Sequence, residues 1–504
     1  MKRLITLTFF LLQVSTLPSK AQEPLVLTLD QAINIALNKS FTIKSYNEKR
    51  LATQHFFKYW DAHFKPRLDY KISSPAWSER VQAIERVDGL PVYNSTGAMT
   101  FLSDLKFTYT IPTGGYVALN AQFYRENLKT VLALQDYQTL TSRKARSSFS
   151  LSFDQPILTK NQLKENLDEA RLQFERSNSE FNRQQLDIIY QVTEGFYQVY
   201  RGTREMEIAA EKLKNSMEAL RIAGLKAEAG RVPEVEVLRS EVEVAQNRAD
   251  LSESESKLER AKDSFKQLIG LSLYEDFMII TDLKYDSLDI DQETAIQKAL
   301  ASRHEIAETK KDIELRKIDL DRARRERELK GNIHAYYDVT GVSTLEHGST
   351  ADLFRSSFDN FVDRPPNRGV TLEFSYPIFD WGRGKERVQQ RMASLRGTEL
   401  DLENAKTNIV REVRDIVRSV SEALNRLVIH ERNQQLAQNV YQISLLRFEH
   451  GEITSLELGL EQENLTRSQL DYLNAYITYQ LALSDLKRKT LWDFKNNRSY
   501  LVEE

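Results

Sequence analysis

The chain has 504 residues, 28% of them charged and 41% hydrophobic, with a mean hydropathy of −0.50. That mixture excludes a polytopic helical membrane protein, which needs repeated apolar runs of about 20 residues. Lys and Arg (70) nearly balance Asp and Glu (73), so no bulk basic charge points to nucleic acid; the absence of cysteine removes disulfide frameworks, thiolate metal sites, Cys nucleophiles and acylated lipoprotein anchors.

Lys2 and Arg3 precede a short apolar run, Leu4 to Leu12, and Ser19-Lys20-Ala21 offers small residues at cleavage positions. Residues 1–21 therefore read as a signal peptide, because the apolar run is too short to anchor in a bilayer. Cleavage after Ala21 removes three positive charges, which takes the net charge from −3 to −6 and leaves Gln22 first. The mature chain is expected outside the cytoplasm of a bacterium.

The mature sequence is an internal duplication. The first repeat spans 22–288 and the second 289–504. "TLDQAINIALNKS" from Thr28 resembles "DIDQETAIQKALAS" from Asp289, with Ala32-Ile33 matching Ala295-Ile296 and Ala36-Leu37 matching Ala299-Leu300. The pattern predicts a helix of about 35 residues opening each repeat. A β segment comes next, 66–156 in the first repeat and 331–377 in the second. In it the period changes from 3.6 to 2. Leu68, Tyr70 and Ile72 alternate with polar residues, as do Phe149, Leu151 and Phe153; Ile333, Ala335, Tyr337 and Val339; and Val370, Leu372, Phe374 and Tyr376. Such strands suit a barrel wall with lipid on one side and water on the other, or a soluble sandwich with one buried face. An extra hairpin over 105–123, turning at Pro112-Thr113-Gly114-Gly115, belongs to the first repeat alone; the sequence leaves open whether it joins the barrel wall or projects beyond it.

Each β segment ends in a proline, Pro156 or Pro377, and a glycine stands 74 residues later, Gly230 or Gly451. The offset between repeats is 221 at both places. Glycine (18) and proline (11) are scarce, and no proline occurs in 157–232, 234–364 or 378–504. Long helical hairpins are predicted over 157–269, with a tip near 230, and over 383–490, with a tip near 451. Ile409, Val413, Ile416, Val420, Ala423 and Leu427 form a heptad seam; Ile188, Val192, Phe196, Val199 and Met206 are its counterpart. A helix of about 70 residues is a rod of roughly 105 Å, which suits a tunnel, stalk or coiled-coil scaffold.

Four strands cannot close a barrel, because edge groups inside lipid would lack partners. The reading is therefore a shared barrel: three chains supply 12 strands and, from four helical columns each, a 12-column α-barrel.

The ordered set of Pro156 and Pro377 strand exits, Gly230 and Gly451 tips, Ala32 and Ala295 helix starts, and "LERAKDSFKQLIGL" at 258–271 resembles the TolC-like outer-membrane efflux proteins over essentially the whole mature chain. The resemblance implies a mainly α chain with a β-barrel portion: long coiled-coil hairpins forming a trimeric α-barrel tunnel, and a shared 12-stranded outer-membrane barrel. It implies a homotrimer in outer-membrane lipid with a long periplasmic extension, a passive export conduit of a tripartite efflux or type I secretion system. The partners implied are a periplasmic adaptor protein and, through it, an inner-membrane pump. The adaptor-docking tips are then Gly230, Arg231, Val232 and Pro233, with Gly451, Glu452 and Ile453. Glu236 and Glu457 fall on the family's acidic positions past each tip. The next acidic position is Leu460, so that ring is missing or displaced to Glu461. The family's common Arg falls on Ile453 and its common Tyr on Phe448, which puts a polar latch in doubt. Glu457, Glu461 and Glu236 are the constriction candidates: three copies of an axis-facing carboxylate form a ring that attracts cations. Glu236 is assigned more to supporting neighbouring helices. Leu151, Phe153, Leu372 and Phe374 are the lipid-facing candidates.

No enzyme constellation accompanies these features, and no catalytic, cofactor or metal residue is assigned. The histidines, at 55, 63, 304, 334, 347, 430 and 450, form no HExxH pattern, and there is no phosphate-binding glycine loop or nucleophile elbow. The basic run "RARRERELK" at 322–330 reads as a solvated face, with headgroup contact at the barrel rim as the minority reading. The rival to a channel is a periplasmic coiled-coil adaptor or scaffold, which explains the helices but not the strands.

Overall fold

A computed structural model describes residues 25–500 apart from 88, 281–284, 344, 346, 347 and 362; residues 1–21 and His347 lie outside it. In chain order the elements are β1 (Leu25–Leu27), α1 (Leu29–Lys39), α2 (Phe41–Ala62), β2 (Arg67–Arg86), β3 (Gly89–Thr110), β4 (Tyr116–Leu132), β5 (Gln138–Ile157), α3 (Gln162–Glu228) and α4 (Glu234–Ile269). The second half continues with β6 (Phe277–Ile279), α5 (Gln292–Ser302), α6 (His304–Arg325), β7 (Lys330–Val342), α7 (Thr350–Asp359), β8 (Asn367–Ser375), α8 (Arg383–His450), α9 (Ser455–Thr490), β9 (Trp492–Asp493) and β10 (Arg498–Ser499). The chain forms two compact units, and neither is one sequence repeat. One comprises 46–183 and 300–411, the other 1–45, 184–299 and 412–504.

The first of these units holds an antiparallel sheet in the order β2-β3-β4-β5-β7-β8. It has six strands among the described residues, not the four expected. The hairpin over 105–123 lies within the sheet, its strands β3 and β4 paired between β2 and β5. Twelve strands from three chains was arithmetic on four strands each; three chains of six supply eighteen. Every strand end that meets a helix, at residues 67, 157, 330 and 375, lies at one end of the sheet. The opposite end carries the turns after residues 86 and 132 and the connection containing α7.

The register sorts the side chains. Leu105 pairs with Tyr70 and Ala121, Ala121 with Phe149, Phe149 with Val339, and Ala335 with both Phe153 and Val370. Facing residues share a side of the sheet, so Tyr70, Leu105, Phe107, Leu119, Phe149, Leu151, Phe153, Tyr337, Val370, Leu372 and Phe374 lie on one face. The other face carries Asp69, Lys71, Asp104, Lys106, Asn120, Gln122, Ser150, Ser152, His334, Thr371 and Glu373. In β2 the register shifts between Ser73 and Ala76, around Pro75, which has no N–H to give a ladder. The apolar face is largely uncovered: Tyr70, Leu105, Leu151, Leu372 and Phe374 are exposed.

In the same unit α3 and α6 run antiparallel, joined by ion pairs. Arg325 meets Glu165, Arg322 meets Glu169 at 3.3 Å, Arg176 meets Asp312 at 3.2 Å, and Arg183 meets Glu308 at 3.1 Å. The basic run at 322–330 is thus not simply a solvated face. Arg322 and Arg325 turn toward α3, and Glu165 is buried beneath Arg325. Nothing in the run itself betrays this, because the acids stand some 150 residues upstream.

The opening helix of each repeat is two helices. The backbone is extended at Ser40 (ψ 141°) and at Arg303 (ψ 128°). Buried Ser40 accepts a bond from the Ile43 amide at 3.2 Å and so caps the second helix. Both first helices are capped alike, Thr28 accepting from the Gln31 amide and Asp291 from the Thr294 amide.

In the other unit the heptad seams are buried: Val413, Val420 and Leu427 in α8, Ile188, Val192, Phe196 and Val199 in α3. The repeats diverge where Ile416 and Ala423 are matched, 221 residues earlier, by Gly195 and Gly202. A Cβ on Gly195 would stand 2.9 Å from the Phe265 ring, and one on Gly202 3.3 Å from Leu258. Phe265 and Leu258, both buried in α4, fill the space that the glycines leave. Gly195→Ile, which imports the second-repeat residue, should therefore overpack this contact and cost about 1–3 kcal/mol despite the better helix propensity. Thermal unfolding in detergent checks it: the midpoint should fall, and Phe265→Ala should recover part of the loss in the double variant.

Candidate functional site

Two features present chemistry: the paired helical turns and the two-faced sheet. The turns are built identically from unrelated residues. Gly230 and Gly451 take φ +68° and +82°, where a Cβ would be strained. The Gly230 amide donates to the Ala227 carbonyl at 2.9 Å and the Arg231 amide to the Lys226 carbonyl at 2.8 Å. The Gly451 amide donates to Phe448 at 3.0 Å and the Glu452 amide to Arg447 at 2.9 Å. Both are Schellman closures, which stop α3 and α8 by satisfying their last carbonyls. Arg231, Pro233 and Glu452 are exposed there, with Val232 and Ile453 half-buried.

After each turn the halves differ. Thr454 and Glu457 form a capping box: the Glu457 carboxylate accepts from the Thr454 amide at 2.7 Å and from its hydroxyl at 3.0 Å, while the Glu457 amide donates back at 3.3 Å. These bonds, the backbone one foremost, hold the Glu457 carboxyl below its usual range. In the first half Pro233 occupies the N-cap and offers neither an amide hydrogen nor a hydroxyl. Glu236 turns elsewhere: it accepts from the buried Ser455 hydroxyl at the start of α9 and from Arg239 at 3.1 Å. Its carboxylate therefore ties α4 to α9. Glu461 is half-buried, 3.4 Å from the Asn464 amide nitrogen. The three carboxylates do not converge within one chain.

Between the turns lies an apolar cluster of Ala219, Ile222, Ala223, Tyr441, Phe448, Leu458 and Leu465, with Ile453 packed against it. Phe448 and Ile453, where the resemblance would place Tyr and Arg, are thus core residues. Lys226 completes the join, donating to the Phe448 carbonyl with its ammonium 4.0 Å from that ring's centroid. Burial lowers the Lys226 pKa. Sequence reasoning missed Lys226, Ser455 and Glu243. The signal for the Glu236–Ser455 tie was Pro233 standing opposite Thr454 at the 221-residue offset; Lys226 and Glu243 carry none.

Glu243 lies beside Gly459, where an added Cβ would meet its carboxylate at 3.4 Å, in a small cavity also lined by Asn215, Ser240, Tyr441 and Gln462. Burial pushes its carboxyl up, with Lys212 opposing. Tyr441, buried and beside Glu243, is raised to about 12. A carboxyl raised in the folded state ionises more readily unfolded, so it weakens the fold as pH rises above the ordinary glutamate value. Glu243→Gln should raise the thermal midpoint at pH 7, and the gain should vanish as pH falls below that value. A gain equal at both pH values would show that ionisation is not its cause.

Among the described residues, no group of three or more His, Cys, Asp or Glu stands ready to hold a metal, and no helix is long and apolar enough to cross a membrane.

A sheet with one apolar and one polar face, joined to helices of 67 and 68 residues, has the alternation of a β-sheet membrane wall. The chain belongs to the outer membrane efflux protein family, whose profile matches residues 116–271 and 295–490. These are channels, not enzymes. The fold is similar to the CmeC outer membrane channel of Campylobacter jejuni (TM-score 0.66, 13% identity, 92% of this chain and 85% of that one). It is also similar to VceC of Vibrio cholerae (0.61, 15%, 92% and 95%) and to the open state of MtrE of Neisseria gonorrhoeae (0.64, 14%, 92% and 88%). No curated protein sequence matches significantly.

Proposed function

We propose that this efflux channel of the outer membrane works as a homotrimer: three sheets close one barrel, and the helical hairpins extend the conduit into the periplasm. The observation that carries the proposal is the largely exposed apolar face that extends over six strands, interrupted on the edge strand by Arg368, with β2 and β8 left as open edges. Inside lipid those edges need partners, and a second and third copy supply them. Eighteen strands leave an aqueous lumen, whereas eight are filled by side chains. Leu151, Phe153, Leu372 and Phe374 then face lipid, and Glu373, Thr371 and His334 face water. Transport through it is passive, as expected of a water-filled conduit whose energy is supplied by a partner pump. A periplasmic adaptor docks on Gly230 to Pro233 and Gly451 to Ile453 and links the channel to an inner-membrane pump. A soluble scaffold would leave the apolar face exposed to water.

Phe149→Arg tests the wall. Phe149 stands near mid-height of the apolar face, so the change should block insertion at a cost of about 2–4 kcal/mol, while Ser150→Arg one residue away on the polar face is tolerated. Mass measurement of the detergent complex should give three chains. A stable monomer, or equal tolerance on both faces, overturns the architecture; two chains would give a twelve-stranded barrel and overturn the trimer.

The tip carboxylates are proposed to line the narrow end. Glu457 is exposed but bound to its own cap, so its contribution to a ring is shared with Glu461. Glu457→Gln/Glu461→Gln should weaken cation selectivity in planar bilayer recordings, while Glu403→Gln, far from the tip, changes little. Unaltered selectivity in the double variant removes the acidic ring.

A further inference from the structure

Helix α7 lies on the apolar face, crossing three strands at one level. Arg125 of β4 donates to the Thr350 hydroxyl at its start. Fully buried Leu353 packs on Phe123 of β4 and Ala145 of β5. Farther along, the hydroxyls of Ser357 and of Ser147 in β5 are 2.6 Å apart. Gly341 of β7 is what admits the helix, since a Cβ there would fall 1.7 Å from the Ser357 carbonyl oxygen. Just past the helix, Asn360 accepts from the Val342 amide at 3.3 Å. The strand positions are register partners, Phe123 with Ser147, Arg125 with Ala145, Ser147 with Gly341. Helix α7 therefore runs across the strands and not along them. Phe354 lies edge-on to Phe123 at 5.1 Å, Phe358 stacks beside it, and both keep an exposed side. An amphipathic helix with exposed aromatics, lying across the wall, has the form of an interfacial element.

On β4 and β5 the same face changes character at α7. Below it stand Phe153, Leu151 and Phe149, with Arg368 at the β8 edge. Beyond it stand Arg143, facing Asn127, and Lys129, with exposed Arg355 on the helix itself; on β2 and β3, Trp77 and Met99 continue the apolar face at the Arg143 level. From Phe153 to Arg143 the strand rises about 34 Å, which at a tilt of about 40° is close to the roughly 25 Å height of a barrel's apolar band. The cations thus fall where headgroups begin. Asp352 is held in its cap by Ser349, Glu79 accepts from Ser95, and Asp359 lies toward β7 at the other end of the helix.

We propose that Lys129, Arg143 and Arg355, with α7 beneath them, seat a phosphorylated, multiply acylated glycolipid of the outer leaflet. Its phosphates lie among the three cations and its acyl chains against Phe149, Phe354 and Phe358. Charge complementarity and the apolar face below select this occupant. The inference rests on the sheet being the membrane wall.

The test is native mass spectrometry of the full-length assembly in detergent, titrated with hexa-acylated bisphosphoryl lipid A or its dephosphorylated form. The phosphorylated lipid should be retained. Lys129→Gln/Arg143→Gln/Arg355→Gln should bind it about tenfold or more weaker, while the dephosphorylated lipid should not distinguish the two proteins. Arg125 is left intact because it holds α7. Equal affinity of both proteins for the phosphorylated lipid, or no preference for phosphate, overturns the seat. Conductance of the same samples reports the wall separately: channels that conduct but show no phosphate preference fail the seat alone.

Discussion

Strand register is the constraint on which the rest depends. Side chains alternate with a period of two, so a one-residue slip in any of the five pairings would carry a whole strand's apolar set to the polar face. The observed pairings avoid this across joins of very different kind, from the tight turn at Gly114-Gly115 to the β5–β7 junction, where Asp154 and His334 face each other 180 residues apart. Even the irregularity around Pro75 preserves it: the shift returns Trp77 opposite Met99 to the side occupied by Ile72 and Ser103. Because this alternation holds over all six strands, one side of the sheet can meet hydrocarbon while the other meets water.

The duplication shows how one scaffold is made asymmetric at small cost. Both turns keep their glycine and the same two closing bonds, so the hairpin geometry is common to the halves. The differences lie in the side chains within and just past that frame, and farther back along α3 and α8. Pro233 against Thr454 decides whether the following glutamate caps its own helix or ties two helices together. Ala227 against Phe448 decides which turn supplies the aromatic ring and which the lysine that covers it. Gly195 and Gly202 against Ile416 and Ala423 decide on which helix the bulky seam residues stand.

The buried seam from Ile409 to Leu427, the glycine turns and the alternation in β2, β5, β7 and β8 were legible because each is a local signal. The strand count was not. The pattern over 105–123 identified a hairpin, but whether its edges pair with β2 and β5 is a non-local matter that no window of sequence contains. The breaks at Ser40 and Arg303 were hidden because neither position is Gly or Pro. At the tip, Glu457 and Glu236 were equivalent by offset, yet their carboxylates have different partners. The placement of α7 depends on Gly341, whose missing side chain is readable only once Ser357 is seen against it.

The ion pairs between α3 and α6 bear on how the chain can fold at all. Closing a loop between the end of β5 and the start of β7 means immobilising ends separated by more than 170 residues, an entropic cost that must precede any strand bonding. Helices form from local contacts and can be complete before that closure. Once Glu165 and Glu169 have engaged Arg325 and Arg322, Ile157 and Lys330 are held as neighbours across a gap of only a few residues on each side. The antiparallel helices then serve as a splint: they convert a distant pairing into a nearly local one.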